Sequence, residues 1–283
     1  MPQIPVRTIK DSFFELGFSI RTIEPLVTDH ALIHDLHRHD FYFILCIKHG
    51  KGVHEIDFIR YEVGDYSVFF IRPGQVHFLQ LEQGTSGFMV QFTPEFYAPR
   101  ENPAGLVLRK VSHKNLCQLS TERFDRIFAH LQSILGEYTQ RQHHFKEVIT
   151  AYLDILFIEL VRQSPTPNKI VKPALAFHQE RLEELQQLIE RHSATKKQVH
   201  HYADMLSITS YQLNSITKAL LQKTCSELIN DYIILEAKRL LLATSNQINQ
   251  IADMLGYDDP SYFIRFFKKH TGVSPEAFRK QSS

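Results

Sequence analysis

The stretch that decides the fold of the C-terminal part runs Ile248-Asn-Gln-Ile-Ala-Asp-Met-Leu-Gly-Tyr-Asp-Asp-Pro-Ser-Tyr-Phe-Ile-Arg-Phe-Phe-Lys-Lys269. Its apolar residues recur at intervals of three and four, which predicts a first helix from Ile248 to Leu255. Gly256 ends that helix, and Asp258-Asp259-Pro260 starts the next one at Ser261. Two short helices joined by so brief a turn predict a helix-turn-helix unit.

The same plan occurs a second time, because the tetrapeptide Ala-Asp-Met-Leu is found at both 203–206 and 252–255. The first copy predicts helices over 199–206 and 210–221. An unbroken apolar-periodic segment, 227–243, predicts a long helix between the two units. A rigid connecting helix would fix the two second helices in relative position. Since one turn of B-DNA is about 34 Å, the pair could enter successive major-groove segments on one face of a duplex.

Each of the two second helices has an apolar stripe predicted to be core, formed by Leu213, Ile216 and Leu220 in one and by Phe263, Phe266 and Phe267 in the other. The opposite faces are available to DNA and carry Tyr211, Asn214, Ser215 and Lys218, then Ser261, Ile264, Arg265 and Lys268. Arginine can bind guanine through two hydrogen bonds, asparagine can bind adenine, and an exposed isoleucine can contact a thymine methyl. Contacts to phosphate are expected from Lys268, Lys269, His270 and Lys280. Ordinary solvated faces are the alternative, and the tandem repeat favours DNA.

The segment from about Leu175 to Arg279 resembles the DNA-binding domain of AraC/XylS-family transcription regulators. The match is carried by the signature Ile248-x-x-Ile251-Ala252-x-x-Leu255-Gly256-Tyr257-x-Asp259-x-Ser261-Tyr262-Phe263-x-Arg265-x-Phe267-Lys268-Lys269-x-Thr271-Gly272-x-Ser274-Pro275-x-x-Phe278-Arg279. The resemblance implies two units that read a site of roughly two turns, with base contacts from Tyr211, Asn214, Ser215, Ser261, Ile264 and Arg265. Gln222 departs from the family pattern, because Gly272 stands at the matching place in the second unit. A helix C-terminus prefers glycine, so Gln222 is expected to alter how the first recognition helix ends.

The composition excludes several classes of protein. The chain has 283 residues, a formal net charge of +1 and three scattered cysteines. These features argue against a general nucleic-acid coat protein, a disulfide framework and a zinc-cysteine site. The sequence has no apolar run long enough for a membrane span and no secretory signal at its start, so a cytoplasmic location is expected.

The N-terminal part changes character, since short β-rich runs separated by glycine and proline turns replace the helical period. Four such runs predict strands, namely Phe41–Ile47, Gly52–Phe58, Ser67–Ile71 and Gly87–Phe92. Their spacing suggests a small barrel or jelly roll. The pattern His37-x-His39, Gly64-Asp65 and Pro73-Gly74-x-x-His77 resembles a cupin barrel, which is the usual sensor half of AraC/XylS-type regulators.

The histidines form the candidate sensor site. Strand alternation puts His37, His39, Phe41 and Phe43 on one face, and His77 could approach them across the barrel. Three imidazoles could hold a divalent metal ion. Metal-binding cupins usually place a carboxylate where this chain has Phe43, so we assign neither a metal nor another cofactor. The alternatives are histidines bonded within the barrel and polar anchors for a small effector of unknown identity, formed by His37, His39, Tyr42, Arg72 and His77.

Two long amphipathic segments, 116–138 and 144–162, follow the barrel, and the stretch 163–169 predicts a semi-rigid linker. The resemblance implies that the helices within 116–162 form a homodimer interface, and a two-fold regulator would bind repeated sites. The predicted domains are therefore a sensing and dimerisation domain at 1–163, a linker at 164–173 and a DNA-binding domain at 174–283.

The sequence thus predicts an α+β multidomain protein. An N-terminal β-barrel of the cupin or jelly-roll kind with following helices precedes an all-α domain of two helix-turn-helix units joined by a long helix. The predicted function is sequence-specific transcription regulation, with promoter DNA, a small effector and RNA polymerase as partners. The sequence shows no nucleophile, base and acid set, which argues against an enzyme. Two alternatives stay open, a metal-dependent cupin enzyme with a DNA-binding tail and a protein-interaction module.

Overall fold

The computed structural model describes residues 6–7, 17–97, 103–112, 114–162 and 173–281. These residues form two compact units, one within residues 4–167 and one within residues 168–283. The predicted linker lies outside the described residues except for Pro173, where the next helix begins. Among the described helices, none combines the length and the apolar character that crossing a membrane requires.

Within its described residues, the first unit has ten strands: β1 (Val6–Arg7), β2 (Phe18–Thr22), β3 (Leu32–His39), β4 (Tyr42–His49), β5 (Gly52–Ile56), β6 (Ile59–Val63), β7 (Ser67–Ile71), β8 (Val76–Leu81), β9 (Ser86–Phe92) and β10 (Leu116–Gln118). One five-stranded sheet has the order β1-β3-β8-β5-β6, and the other has the order β10-β7-β4-β9-β2. The described strands do not close into a barrel. The predicted fold class is therefore confirmed in its jelly-roll form, as two sheets.

The apolar run of β4 explains how the layers stack. Phe43, Leu45 and Ile47 pack with Leu79 and other residues of the first sheet, so they form the core between the sheets. The alternate residues of β4 belong to a second core that the following helices cover. A strand buried on both faces has a continuous apolar sequence, which is what 43–47 shows.

The described part of this unit also has a 3-10 turn at Glu24–Leu26 and three α-helices: α1 (Pro103–Ser112), α2 (Thr121–Gln140) and α3 (Phe145–Val161). Phe124, Ile127 and Leu131 of α2 are buried in the same core as Leu153 and Phe157 of α3. The prediction of a helix over 116–138 is wrong at its start, because 116–118 forms β10 and pairs antiparallel with β7. The free edge of β7 offers hydrogen bonds to this segment, and its own apolar period does not reveal that partner.

Over residues 173–281, the second unit has seven helices: α4 (Pro173–His192), α5 (Val199–Met205), α6 (Ser210–Leu221), α7 (Cys225–Ala243), α8 (Ile248–Met254), α9 (Pro260–Thr271) and α10 (Pro275–Gln281). Helix α7 packs against α6 of the first repeat and against α8 and α9 of the second. Both repeats share one apolar core with α7. The two predicted helix-turn-helix units and their connecting helix are therefore present, with bounds within two residues of the predicted ones.

Candidate nucleic-acid interface and sensor site

Helix α9 presents the predicted polar face of the second unit. Asp259 caps its N-terminus by accepting a hydrogen bond of 2.8 Å from the backbone N–H of Ser261. Phe263 and Phe267 are fully buried and hold the helix against the core. All five predicted contact residues are exposed, namely Ser261, Ile264, Arg265, Lys268 and Lys269. The two lysines also lie in the last turn, where positive charge interacts favourably with the helix dipole.

Helix α6 presents the corresponding face of the first unit. Thr209 and Gln212 form a capping box at its N-terminus. Tyr211 is 83% exposed, and Ser215 and Lys218 are exposed beside it. Three of the four predicted contact residues are therefore accessible.

Asn214 is placed differently from the prediction. Its Nδ2 donates to the backbone oxygen of Ser210 at 3.0 Å, and its Oδ1 accepts from the backbone N–H of Cys225 at 3.0 Å. The second bond satisfies an N–H of the first turn of α7, which has no partner within the helix. Because both ends of the amide are engaged, this geometry does not support the predicted adenine contact.

The two helix-turn-helix units have the same left-handed backbone conformation at two corresponding positions, the turn between the helices and the end of the second helix. Different residues occupy these positions in the two units. Ser207 has φ +54° where the second unit has Gly256 at φ +70°. Gln222 has φ +58° where the second unit has Gly272 at φ +83°. The Gln222 N–H bonds to the Lys218 oxygen at 3.0 Å, which is the bond that Gly272 makes to Lys268. The expectation that Gln222 alters the helix end is therefore wrong. A glutamine in place of glycine instead leaves the backbone of Gln222 in a strained left-handed conformation.

We expect Gln222→Gly to raise the free energy of unfolding of the C-terminal unit by about 0.5–1 kcal/mol, because relief of the left-handed strain outweighs the added chain entropy of glycine. Urea titration followed by circular dichroism measures this change. Gly272→Gln is the matched reverse substitution and should lower the free energy of unfolding. A loss of stability in Gln222→Gly would show that the backbone of Gln222 is not strained.

Four buried histidines converge on neighbouring strands of one sheet. His37 on β3 lies directly opposite His77 on β8. His39 Nε2 is 3.1 Å from His77 Nε2, and His77 Nδ1 is 2.9 Å from His54 Nε2 on β5. The three predicted histidines do meet, side by side within one sheet and not across a barrel. Sequence analysis missed His54, although it shares a strand face with the buried Ile56.

The three predicted histidines each offer one ring nitrogen within 4.8 Å of the others. His37 Nδ1 lies 2.6 Å from the Asp35 backbone oxygen, and His39 Nδ1 lies 2.9 Å from that of Phe41. In the neutral imidazole these contacts assign the hydrogen to Nδ1 and leave Nε2 as an acceptor. The arrangement can therefore hold a hydrogen-bonding ligand or a metal ion.

Two other predicted anchors lie outside this cluster or at its edge. Tyr42 stacks on Phe92 at 5.0 Å between ring centres and packs in the helix-facing core, on the opposite face of its sheet. Tyr42 therefore does not face the histidine cluster, because it is one residue out of phase with Phe41 and Phe43. Arg72 lies in the turn after β7, where its backbone N–H donates to Gln75 Oε1 at 2.7 Å.

The histidine cluster is closed by its own packing, since His37, His39 and His77 are all at most 3% exposed. A separate groove of about 640 Å³ lies along β5 and β6 and is lined by charged side chains that include Lys51, Arg60, Glu62, Asp65 and Glu82. None of the predicted effector anchors lines this groove. A ligand at the histidines must therefore be small, or its entry must separate buried side chains.

Burial keeps the inner histidines neutral. It is the main cause that lowers the pKa of His54 to about 3, and the neighbouring His37 adds to the effect. Burial also holds the pKa of His77 well below its usual value, with His54 as the next cause. Neither imidazole takes up the second proton that would make it a cation at neutral pH.

We expect the N-terminal unit to lose stability as the pH falls from 6.5 toward 3. Unfolded histidine takes up a proton below pH 6.5, while folded His54 does not, so acid favours the unfolded state. The expected loss is about 2 kcal/mol at pH 5 for His54 alone. Denaturation at pH 7.5 and pH 5 measures this difference. It should shrink in His54→Gln and persist in the exposed control His143→Gln, and an equal difference in both variants would contradict the assignment.

Comparison with known proteins agrees with both units. The family model of the AraC-like ligand binding domain matches residues 26–197, and that of a helix-turn-helix domain matches residues 202–281. The HTH-type transcriptional activator RhaS of Enterobacter sp. is 22% identical over 278 residues, which cover 95% of each chain. The structure of ToxT from Vibrio cholerae covers 93% of this chain and 97% of its own at 15% identity, with a TM-score of 0.44. The C-terminal domain of AraT from Geobacillus stearothermophilus covers 36% of this chain and 84% of its own at 29% identity, with a TM-score of 0.34.

Proposed function

The chain belongs to the AraC family of transcription regulators, and from that premise we propose that α6 and α9 each read one half of a site in promoter DNA. The observation that carries this proposal is the pair of exposed polar faces, one on the second helix of each repeat, opposite a shared apolar core. Helices of this kind read bases in the major groove. We also propose the predicted domain assignment, in which residues 1–163 form the sensing and dimerisation domain and residues 174–283 form the DNA-binding domain.

The proposed contacts follow the exposure of the side chains. Ser261, Ile264 and Arg265 of α9 meet base edges, as do Tyr211 and Ser215 of α6. Lys218, Lys268 and Lys269 meet phosphates, which supply affinity without sequence choice. Asn214 contributes by joining α6 to α7.

Selection from random double-stranded DNA with the full chain tests this proposal. We expect enrichment of one motif that spans about two helical turns, with affinity that falls as salt rises. Absence of enrichment at every salt concentration would favour the alternative in which the two repeats bind protein.

We propose that a small effector binds at the cluster of His37, His39 and His77, next to Arg72. Binding would favour one arrangement of the chain and thereby change the fraction of molecules that hold DNA. Phe41 stacks on His39 at 4.0 Å between ring centres, so the cluster offers an aromatic wall beside its polar nitrogens. Sugars and small aromatic acids suit such a mixed surface, and a thermal-shift screen of those classes with His39→Ala as control tests the site.

A divalent metal ion is the second candidate ligand, because three imidazole nitrogens lie within 4.8 Å of one another. Metal analysis of the purified protein and titration with Co²⁺ test this candidate. Stoichiometric metal that is lost in His37→Ala would support it, whereas no binding of Co²⁺ by the wild type would exclude it.

The proposed output is activation through contact with RNA polymerase in the cytoplasm, and the proposed mode of action involves no catalysis. The support for activation is the similarity to RhaS, whose name describes a transcriptional activator. A promoter reporter that carries the selected site measures the direction of the output.

We propose that the chain is a homodimer joined through α3. Ala151, Ile155 and Ile158 are exposed on one face of this helix at spacings of four and three residues, and the two isoleucines are 43% and 39% exposed. Such a stripe can pack against the same stripe of a second copy. The interface is isologous, so one substitution changes both sides of it.

We expect Ile155→Glu with Ile158→Glu to shift the protein from dimer to monomer, because two carboxylates from each copy would be buried against each other. Sedimentation velocity measures the change at micromolar concentration. Ile33→Glu is the matched control, since Ile33 is exposed on β3 and lies outside the stripe. A dimer that persists in the double variant would place the interface elsewhere.

A further inference from the structure

The loop between α4 and α5, residues 193–198, touches the turn of the second helix-turn-helix unit. Lys197 makes this contact through its ammonium group. Its Nζ donates to the Ala194 oxygen within the loop at 2.9 Å and to the Gly256 oxygen in the turn at 2.5 Å. It also stands 4.6 Å from the ring centre of Tyr257, within the range of a cation–π interaction.

The backbones of the loop and the turn are also in close contact. A Cβ atom added to Gly256 would lie only 1.6 Å from the Ala194 oxygen. The turn therefore admits the loop only because residue 256 has no side chain. The contact between loop and turn is thus a packed backbone contact with a charged group across it.

The loop is also joined to the first helix-turn-helix unit. The hydroxyl of Tyr202, a fully buried residue of α5, donates to the Lys196 oxygen at 2.6 Å. On the other side, Tyr257 is buried in the core with Phe263 of α9. A chain of contacts therefore runs from α5 through Lys197 to the N-terminal end of α9, in addition to the connection through α7.

We propose that Lys197 is a positioning residue that sets the distance between the two recognition helices and thereby the number of base pairs that the protein accepts between its two half-sites. This inference rests on the proposed reading of DNA by α6 and α9. The apolar contacts of α7 hold the two helix-turn-helix units together but do not define their exact separation, since apolar packing is not directional. The two hydrogen bonds of the ammonium group are directional, so they restrict the separation of the two helix-turn-helix units more closely.

A direct contact of Lys197 with phosphate is the alternative explanation, and it makes different predictions. A phosphate contact would strengthen binding to every duplex and add about one unit to the salt slope. A positioning contact would strengthen only binding that uses both units at once. Lys196 is the matched control because it is the adjacent lysine of the same loop and is also partly buried.

The test compares Lys197→Met, Lys197→Gln and Lys196→Met in the full chain. The probes are the duplex that the wild type selects, the same duplex with one base pair inserted between the halves, and duplexes with either half scrambled. In both Lys197 variants we expect affinity for the selected duplex to fall about fivefold. Affinity for either scrambled duplex should stay within about twofold, and the preference over the inserted duplex should shrink by about the same factor of five.

A uniform loss on all the duplexes, or the same loss in Lys196→Met, would overturn the proposal. Hydrogen exchange of the DNA-free protein gives an independent result that does not depend on the DNA site. The amides of Gly256 and Tyr257 should exchange faster in the Lys197 variants than in Lys196→Met. Unchanged exchange at these amides would also overturn the proposal, whether or not the wild type selects DNA.

Discussion

Replacing Gly256 with alanine is expected to destabilise the C-terminal unit by about 3–5 kcal/mol, which is enough to unfold many domains of this size. Two independent effects add at this position. The residue has φ +70°, a conformation that strains any residue with a Cβ. The new methyl would also lie 1.6 Å from the Ala194 oxygen and 2.7 Å from its carbonyl carbon, so the backbone of the loop would have to move.

Gly272→Ala separates these two effects. Gly272 has φ +83°, and an added Cβ there would meet nothing within 4 Å. We expect a loss of only about 1–2 kcal/mol from strain alone. Urea denaturation of the full chain measures both variants, with Gly136→Ala in α2 as a control in the other unit. Equal losses at 256 and 272 would mean that the loop 193–198 yields freely, which would also weaken the positioning role of Lys197.

Arg265→Ala is expected to cause the largest loss of sequence-specific binding, about 1–3 kcal/mol in affinity for the selected duplex. Arg265 is exposed on α9, between the buried Phe263 and Phe267 that hold the helix in place. Its removal should therefore leave the fold intact and delete a contact to a base. Binding to random duplex should change little, because that binding depends on phosphate contacts.

Lys269→Ala is the matched control for Arg265→Ala, since it removes an exposed positive charge from the same helix. It should weaken binding to all duplexes alike and reduce the salt slope by about one. Fluorescence anisotropy at several salt concentrations measures both variants. If Arg265→Ala weakened the selected and the random duplex by the same factor, Arg265 would be a phosphate contact and not a reader of bases.

The helices of the C-terminal unit could be predicted from the sequence because their signals are local. The prediction of a helix over 210–221 agrees with the structure at both ends. Its start is marked by the cap residue Thr209 and its buried face by Leu213 and Ile216. Each signal lies within four residues of the feature that it predicts.

The four predicted strands lie where the sequence placed them, to within about two residues, but their partners could not be predicted. Ser67–Ile71 forms a strand as predicted, and β10 pairs with its edge from 49 residues further along the chain, at Leu116–Gln118. A segment as short as Leu116-Cys117-Gln118 suits a helix as well as a strand. Only the unsatisfied edge of β7 decides between them.

The residues of the candidate sites were likewise predicted only in part from the sequence. Alternation along β3 correctly put His37 and His39 on one face, because side-chain direction repeats every two residues. Tyr42 proved to face the helices, away from the histidines, and His54 was missed. The sequence does not say which face of each strand meets the other sheet. The polar stripe of α6 likewise included Asn214, whose amide is used by the N-terminus of α7.

The sequence by itself determined the two helix-turn-helix units, the β-rich first half and the exposed faces of α6 and α9. Period, caps and turn residues act over a few neighbours and leave a readable pattern. Only the tertiary structure decided that four histidines share one sheet, that Asn214 joins two helices and that Lys197 reaches Gly256. Those contacts join residues 11 to 59 positions apart, and their geometry depends on how whole elements pack.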